Sequence, residues 1–325
     1  MKSTAIAPSN IAFIKYWGKK DSELNIPANG SISMNLSDLL SKTTVEFRED
    51  LTEDEVTING KIDSKASTKV SFHLDRIRAL ANLQFFAKVE SVNNFPASTG
   101  LSSSASGFAA LTLAATSALD LNLSERELSI IARCGSGSDC RSIPSGFVEW
   151  TPGESNETSF AYSLYPPEYF DVVDIVAILS DSAKDVATTL GQKSADSSPF
   201  YRPRLTHIAN KINELKKSLE QKDFTTFGKI TESEALELHA IMLTSSPSLI
   251  YLLPQTIAVM KFVKKMRNDG VECYFSLNTG QNIHVLCQSQ NVSKVTELLK
   301  QLPEVKEVIE NRPIAGAHVI TEHLF

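Results

Sequence analysis

Three short stretches gather the residue types that bind and move phosphate. In "NNFPASTGLSSSASGFAA", residues 93–110, five serines fall within the fifteen positions from Asn93 to Gly107. Pro96 and Gly100 punctuate the entry. Ser102, Ser103 and Ser104 stand where a helix N-cap belongs, ahead of the helix formers Phe108, Ala109, Ala110 and Leu111. A helix start leaves its first N–H groups unpaired and carries the positive end of the dipole. Such a stretch either seats an anion such as phosphate or simply caps a core helix. The second stretch, "NIAFIKYWGKKDSELNIPANGSIS", residues 10–33, sets Lys15, Lys19 and Lys20 around Tyr16 and Trp17, then offers Asn29, Ser31 and Ser33. It reads as a loop that is either an anion-binding cluster or a solvated turn with an aromatic anchor. The third, "GSGSDCRS", places Ser136, Ser138 and Arg141 together. An arginine fork suits bidentate contact with phosphate or carboxylate, and glycine with a basic residue also ends ordinary helices. Taken together, two cradles and a lysine cluster suggest two phosphorylated groups, a nucleotide and a phosphorylated substrate. Phosphoryl transfer needs such a pair of anchors with cations between them.

The elements that must hold these loops alternate in type. "STAIAPSNIAFIKY" reads as a strand running into a loop, and "TTVEF" and "EVTINGK" as strands, the latter closing at an Asn59–Gly60 turn. The spacing of Val70, Phe72, Leu74, Ile77, Leu80 and Leu83 predicts a helix over 68–83. "FAKVESVNNFP" is strand-like and leads into the serine-rich helix. Ser124 with Glu127 three residues on forms a capping box, so a helix runs to about Arg133 and ends in the third loop. "SGFVEW" is a strand, and "DVVDIVAILSD" has the branched apolar run of a buried one. Helices follow over 200–220, 223–243 and 255–268. Strands "ECYFSL" and "IHVLC", a helix near 291–301 and the strand "VKEVI" close the chain. The mixed order gives an α+β fold, with a boundary expected near residue 170 that divides 1–170 from 171–325.

Bulk properties narrow the partners. The 325 residues are 42% hydrophobic and 22% charged, with a net charge of −6, which suits two globular domains and argues against a basic nucleic-acid-binding face. Cys134, Cys140, Cys273 and Cys287 form no C-x-x-C pair, and the six histidines show no ligand spacing, so no zinc site is expected. The N-terminal stretch is too polar for a signal peptide, and no run of about twenty apolar residues suggests a membrane span. A cytosolic protein acting on a small molecule is the expectation.

"APSNIAFIKYWGKKDSELNIPANGSIS", "NNFPASTGLSSSASGFAAL" and "ARCGSGSDCRSI" closely resemble diphosphomevalonate decarboxylases of the GHMP kinase superfamily. The superfamily's phosphate loop, Pro-x-x-x-Gly-Leu-x-Ser-Ser-Ala, reads here from Pro96 to Ala105. Looser similarity continues through "LSDSAKDVATTLGQ", "KDFTTFGKITESEALELHAIML" and "CYFSLNTGQNIHVL". The resemblance implies a two-domain GHMP-kinase-like fold with ATP and substrate in the cleft between domains. It implies that ATP and Mg²⁺ phosphorylate the tertiary 3-hydroxyl of 5-diphosphomevalonate, after which phosphate and CO₂ leave to give isopentenyl diphosphate. It places Ser103 and Ser104 on the ATP phosphates, in a loop shared with Gly100, Ser102 and Ala105. Tyr16, Lys19, Ser136, Ser138 and Arg141 fall to the substrate, with Arg141 on its carboxylate or the new phosphate. Lys69 corresponds to a basic diphosphate contact, and Lys15 to a lysine near the reacting oxygen. A homodimer is the family habit.

Three positions depart from the pattern. The family's Asp-Ala-Gly-Pro-Asn motif supplies a catalytic aspartate as the proposed base, and here "NTGQN" puts Asn278 in its place. A carboxamide cannot accept the proton, and a positioned base is worth about 10² to 10⁴ in rate. Either Asn278 orients the hydroxyl while a phosphate oxygen takes the proton, or the chain has diverged. The divergent readings are a phosphomevalonate decarboxylase, a mevalonate 3-kinase-like enzyme, or a binding protein without turnover. In "KDVATT" the usual serines are missing, leaving Thr188 to supply a hydroxyl where Ala187 cannot. Asp139 beside a substrate phosphate is expected to turn away or bind Mg²⁺.

Overall fold

The computed structural model describes residues 1–96, 100–182, 186 and 188–325. In chain order the larger elements of the first half are β1 (Lys2–Ile14), β2 (Lys19–Asp21), β3 (Ile26–Pro27), β4 (Ser31–Arg48) and β5 (Glu55–Ile58). α1 (Ser64–Ala81), β6 (Phe86–Asn93), α2 (Ser103–Ala118) and α3 (Glu125–Ser136) follow, and β7 (Phe147–Trp150) and β8 (Ala161–Tyr165) complete it. The second half holds β9 (Val173–Ile178), α4 (Thr188–Lys193), α5 (Tyr201–Glu220), α6 (Phe224–Thr244) and α7 (Pro254–Asn268). Its remaining elements are β10 (Cys273–Ser276), β11 (Ile283–Cys287), α8 (Val292–Lys300), β12 (Glu307–Asn311) and β13 (His318–Ile320).

A seven-stranded sheet in the order β13–β1–β4–β6–β5, with β7 on β4 and β8 on β7, forms the first layer. Its centre is the β1–β4 pair, antiparallel from Lys2↔Glu46 to Ile14↔Ile32. The pairing shifts register between Pro8 and Asn10 and between Ala12 and Ile14, and such irregularities bend a long ribbon. β4 is therefore long enough to pair β6 with one end and β7 with the other. Here the expectation of a loop over 10–33 is corrected. Residues 10–14 lie in β1, 19–21 and 26–27 form a small hairpin, and Ser31 and Ser33 are fully buried in β4. The Asn59–Gly60 turn is present with both residues at positive φ, as a tight hairpin-type turn requires.

Helices α1 and α2 cover one face of this sheet through Val70, Leu74, Ile77, Leu111, Ala114 and Ala115, packed on Val45, Phe47 and Val89. The other face meets the second half. Phe13 of β1 sits edge-on to Phe227 of α6 with ring centroids 4.6 Å apart, inside one core shared by both halves. The second sheet, β10–β11–β9–β12, is wholly antiparallel. Along β9, Val173, Ile175 and Ala177 face α7 and α8, while Val176 and Ile178 face the shared core. Burial on both faces is why that strand reads as one apolar run instead of an alternation. β13 crosses back to pair β1, so the chain's last strand is stitched into the first sheet.

Candidate active site

Two cavities open side by side at the N-terminus of α2. One, of about 490 Å³, lies between the halves of the chain. The other, of about 680 Å³, lies between α1, α2 and the strands β5 and β6. They share Lys69, Ser103, Ser104 and Phe108. Lys15, Tyr16, Lys19, Lys69, Gly100, Ser102, Ser103, Ser104, Ser136, Ser138, Arg141, Thr188 and Asn278 all line the smaller cavity. Ala105 alone of the expected set is buried inside α2 and lines neither.

The serine run is placed by backbone strain. Gly100 has φ +95°, and a Cβ there would stand 2.7 Å from Gly280 Cα, so Gly100 packs main chain to main chain against Gly280. Positions 97–99 of the loop lie outside the described residues. Ser102 is left-handed, with φ 58°, and its side chain does not cap α2, contrary to the expected capping role. Its Oγ instead accepts from Asn278 Nδ2 at 3.3 Å. The start of α2 is thus left without a side-chain cap where Ser103 and Ser104 face both cavities, the arrangement that suits an incoming phosphate. Ser136, at the end of α3, donates to Ser104 Oγ at 3.3 Å, joining the second glycine–serine loop to the first.

Arg141 is set on the 3₁₀ turn after α3 and is 4% exposed. Its Nη1 donates to Ser31 Oγ at 2.6 Å and its Nη2 to Asn10 Oδ1 at 3.0 Å. Those two contacts aim the guanidinium into the cavity and leave Nε without a partner among the described residues. Tyr16 lies edge-on to Trp150 at 4.7 Å, and burial pushes its hydroxyl well above the ordinary range, so it stays a neutral donor. Lys19 donates to Asn25 Oδ1; burial lowers its pKa, helped by the neighbouring Lys193 and Lys69. Thr188 and Thr279 share a hydroxyl–hydroxyl bond at 2.7 Å across the cavity wall; Ala187 lies outside the described residues. Asp139 does not line the cavity. It is fully buried and turned away from the cavity, and desolvation raises its carboxyl well above its ordinary value.

Lys15 occupies the innermost wall. A buried ion pair clamps its main chain: Glu234 Oε2 accepts from Lys15 N at 3.1 Å, and Arg204 Nη2 donates to Lys15 O at 2.8 Å. Arg204 and Glu234 are themselves joined by two 2.9 Å bonds, both side chains fully buried. Lys15 Nζ donates to Ser276 Oγ at 2.8 Å and Asn278 Oδ1 at 3.2 Å. Burial lowers its pKa to about 7, with Arg141 and Arg204 acting in the same direction and Glu234 and Asp174 opposing.

The sequence reading missed Arg76, which lines the smaller cavity from α1, and Gln192, which lines it from α4. Arg76 was legible: Lys69, Phe72 and Arg76 recur at helical spacing on one face, and all three line the cavity. With Arg76 added, five basic side chains (Lys15, Lys19, Lys69, Arg76 and Arg141) stand against one carboxylate, Glu23, in a chain of net charge −6. That local excess of positive charge fits a polyanion, as the sequence required of any anionic substrate.

Residues 7–161 match the family model described as diphosphomevalonate decarboxylase-like N-terminal domain, and residues 174–320 match mevalonate 5-diphosphate decarboxylase C-terminal domain. The chain belongs to the diphosphomevalonate decarboxylase family. A curated diphosphomevalonate decarboxylase of Debaryomyces hansenii is 35% identical over 314 residues, covering 90% of this chain and 81% of the yeast protein. The crystal structure of mevalonate diphosphate decarboxylase from Staphylococcus aureus superposes with a TM-score of 0.92 at 38% identity, covering 98% of each chain. A second solved structure, a complex with MVAPP, AMPPCP and magnesium, gives a TM-score of 0.92 at 35% identity over 99% of each chain. The fold of the family, two-domain and GHMP-kinase-like, is the fold expected from the sequence.

Proposed function

We propose that this chain decarboxylates 5-diphosphomevalonate at the expense of ATP, giving isopentenyl diphosphate, ADP, phosphate and CO₂. The observation that carries the reading is the junction of the two cavities at Ser103 and Ser104. The larger cavity is walled by Val56, Ile58, Val70, Val89 and Leu111 beside Lys61 and Lys65, which suits a nucleoside with its phosphates directed to the start of α2. The smaller, cationic cavity suits a diphosphate and a carboxylate. ATP and the acceptor then meet end to end, and the similarity to a complex holding MVAPP, AMPPCP and magnesium supports the same pairing.

In this arrangement Ser103, Ser104 and the dipole of α2 hold the triphosphate. Lys19, Lys69 and Arg76 neutralise the diphosphate, with Tyr16, Ser136, Ser138 and Thr188 donating hydroxyls. Arg141 grips the carboxylate. Phosphorylation turns the tertiary hydroxyl into a good leaving group, and as it departs the electrons of the carboxylate carbon–carbon bond flow into the new double bond. Preorganised cations do most of this work, since the transferring phosphoryl passes through a loose transition state. We propose that Mg²⁺ arrives on the ATP phosphates; among the described residues no group of three His, Cys, Asp or Glu side chains is placed to hold it. Bound there, the ion neutralises phosphate charge.

We divide the chain at residue 170; the four-stranded sheet draws only on strands beyond it, which supports the division. No described helix is long and apolar enough to cross a membrane, and we place the enzyme in the cytoplasm, where both polyanionic substrates are soluble. We propose a homodimer, supported by exposed Leu236 and Leu243, two turns apart on α6, together with Ile257 of α7. An assay with ATP and 5-diphosphomevalonate that follows ADP and CO₂ separately tests the reaction. Equal release supports it, ADP alone indicates a kinase, and neither product indicates a binding protein.

A further inference from the structure

The position that the family pattern gives to an aspartate is held by Asn278, whose Oδ1 accepts a hydrogen bond from Lys15 Nζ while its Nδ2 donates to Ser102. Both polar partners of Lys15 Nζ among the described residues, Asn278 and Ser276, are neutral. We propose that the Lys15 amine, placed in the cavity wall between Ser276 and Asn278, is itself the proton acceptor for the substrate's tertiary hydroxyl. The proposal rests on the decarboxylase reading and assigns it a base.

The groups around Lys15 explain how a lysine can do this. Arg141 from the 3₁₀ turn and Arg204 from α5 disfavour the ammonium, and burial does so most of all. Glu234 of α6 and Asp174 of β9 favour it, but Glu234 is held by Arg204 and Lys211, and Asp174 by His284 of β11. His239 of α6 donates to the Asn278 carbonyl; burial lowers its pKa to about 4, leaving it neutral at working pH. An aspartate at 278 would place a full negative charge against Nζ and raise the lysine by about 1–3 pH units, locking it as a cation. The carboxamide removes that charge and keeps the hydrogen bond. With two N–H bonds committed to Ser276 and Asn278, the neutral amine keeps its lone pair for a ligand in the cavity.

The step balances. The hydroxyl proton passes to the Lys15 lone pair as the oxygen attacks the γ-phosphorus. The new O–P bond forms, the bond from γ-phosphorus to the bridging oxygen breaks, and ADP leaves with that electron pair. The ammonium later gives its proton to water.

The test compares pH profiles of kcat/KM for ADP release between the chain and Asn278→Asp, since titration of the substrates is common to both. An amine titrating near 7 makes ADP release rise roughly tenfold from pH 6 to pH 8. In Asn278→Asp the carboxylate becomes the acceptor, so this rise disappears. A gain above tenfold at pH 8 would mean that the original site lacks any base, and a flat original profile would mean that Lys15 does not titrate in the step; either overturns the proposal. Lys15→Arg carries a permanent charge and cannot deprotonate, and is expected to lose about 10² to 10⁴ in ADP release while ATP still binds within about threefold by calorimetry. Retention of more than a tenth of the rate would also overturn it. Nζ chemical shifts of ¹⁵N-labelled lysine in the unmutated protein give the titration directly, expected near pH 7, and a midpoint above 9 would contradict it. Absence of ADP and CO₂ at every pH would instead refute the decarboxylase reading, so the two failures are distinct.

Discussion

Replacing Arg141 by alanine separates the two halves of the reaction. Arginine has five N–H donors. Ser31 and Asn10 take one each, so three, including Nε, stay uncommitted among the described residues. They form the fork that a carboxylate accepts bidentately. Truncation leaves a desolvated carboxylate without its counter-charge, a loss of about 3–5 kcal/mol, which is about 10² to 10⁴ in rate. Arg141 lines the smaller cavity and not the larger one, so ATP is expected to bind within about threefold of its original affinity. The protein itself also loses something. Asn10 Oδ1 is left without its donor, a cost of about 1–3 kcal/mol, although Asn10 Nδ2 still donates to Ser142 Oγ at 2.9 Å. Thermal unfolding of the variant therefore controls for damage to the fold. The assay is CO₂ release from carboxyl-labelled substrate beside ATP calorimetry. A fall of less than tenfold in CO₂ release, or a loss of ATP affinity larger than the loss of decarboxylation, refutes the assignment.

Lys69→Ala is expected to weaken both ligands by about tenfold each, because Lys69 lines both cavities; a change confined to one ligand, seen by calorimetry, contradicts the shared position. Gly100→Ala forces a Cβ against Gly280 at positive φ, and is expected to cost about 1–3 kcal/mol and to raise the KM for ATP; an unchanged melting temperature and KM would show that the contact is slack. Glu234→Gln leaves Arg204 and Lys211 with Glu237 as their one carboxylate among the described residues, and urea unfolding is expected to show a loss of about 1.5–3 kcal/mol; under about 1 kcal/mol would contradict the clamp on Lys15. Stability is expected to fall on acidification from pH 7 to pH 5. Buried His73 and His239 have folded-state pKa values lowered to about 3 and about 4, so only the unfolded chain gains their protons as the pH drops through 6.5. Two such groups amount to roughly 4 kcal/mol at pH 5, opposed by Asp139, whose raised pKa favours the folded chain on acidification; an unchanged pH dependence of the urea midpoint in His239→Asn would refute this.

Local signals carried the fold well. The Ser124–Glu127 capping box is formed as read, with Glu127 Oε2 accepting from Ser124 N at 2.8 Å, and α5, α6 and α7 fall within a residue or so of their periodic patterns. The first half of β4 escaped because "SISMNLS" is small and polar. Ser31 is buried as the partner of Ile14 and Arg141, so its polarity reflects contacts distant in sequence. β8 and β13 are short edge additions whose pairing is set by β7 and β1. Most of the cationic cavity was legible, since glycine–serine loops and lysines beside aromatics carry phosphate chemistry locally. The Arg204–Glu234 clamp was not. It joins residues thirty positions apart on two helices to a strand of the first half, and periodicity is silent on such contacts. The same holds for Asp139, whose burial away from the cavity its neighbours in sequence do not announce.

The end-to-end placement of the two substrates is the central claim. A crystal structure with a non-hydrolysable ATP analogue and 5-diphosphomevalonate is expected to show the terminal phosphate at Ser103 and Ser104 and the carboxylate on Arg141. The tertiary oxygen should lie within about 3.5 Å of both the γ-phosphorus and Lys15 Nζ. A nucleotide bound away from the start of α2, or the diphosphate seated on Ser103 and Ser104 in its place, would contradict it.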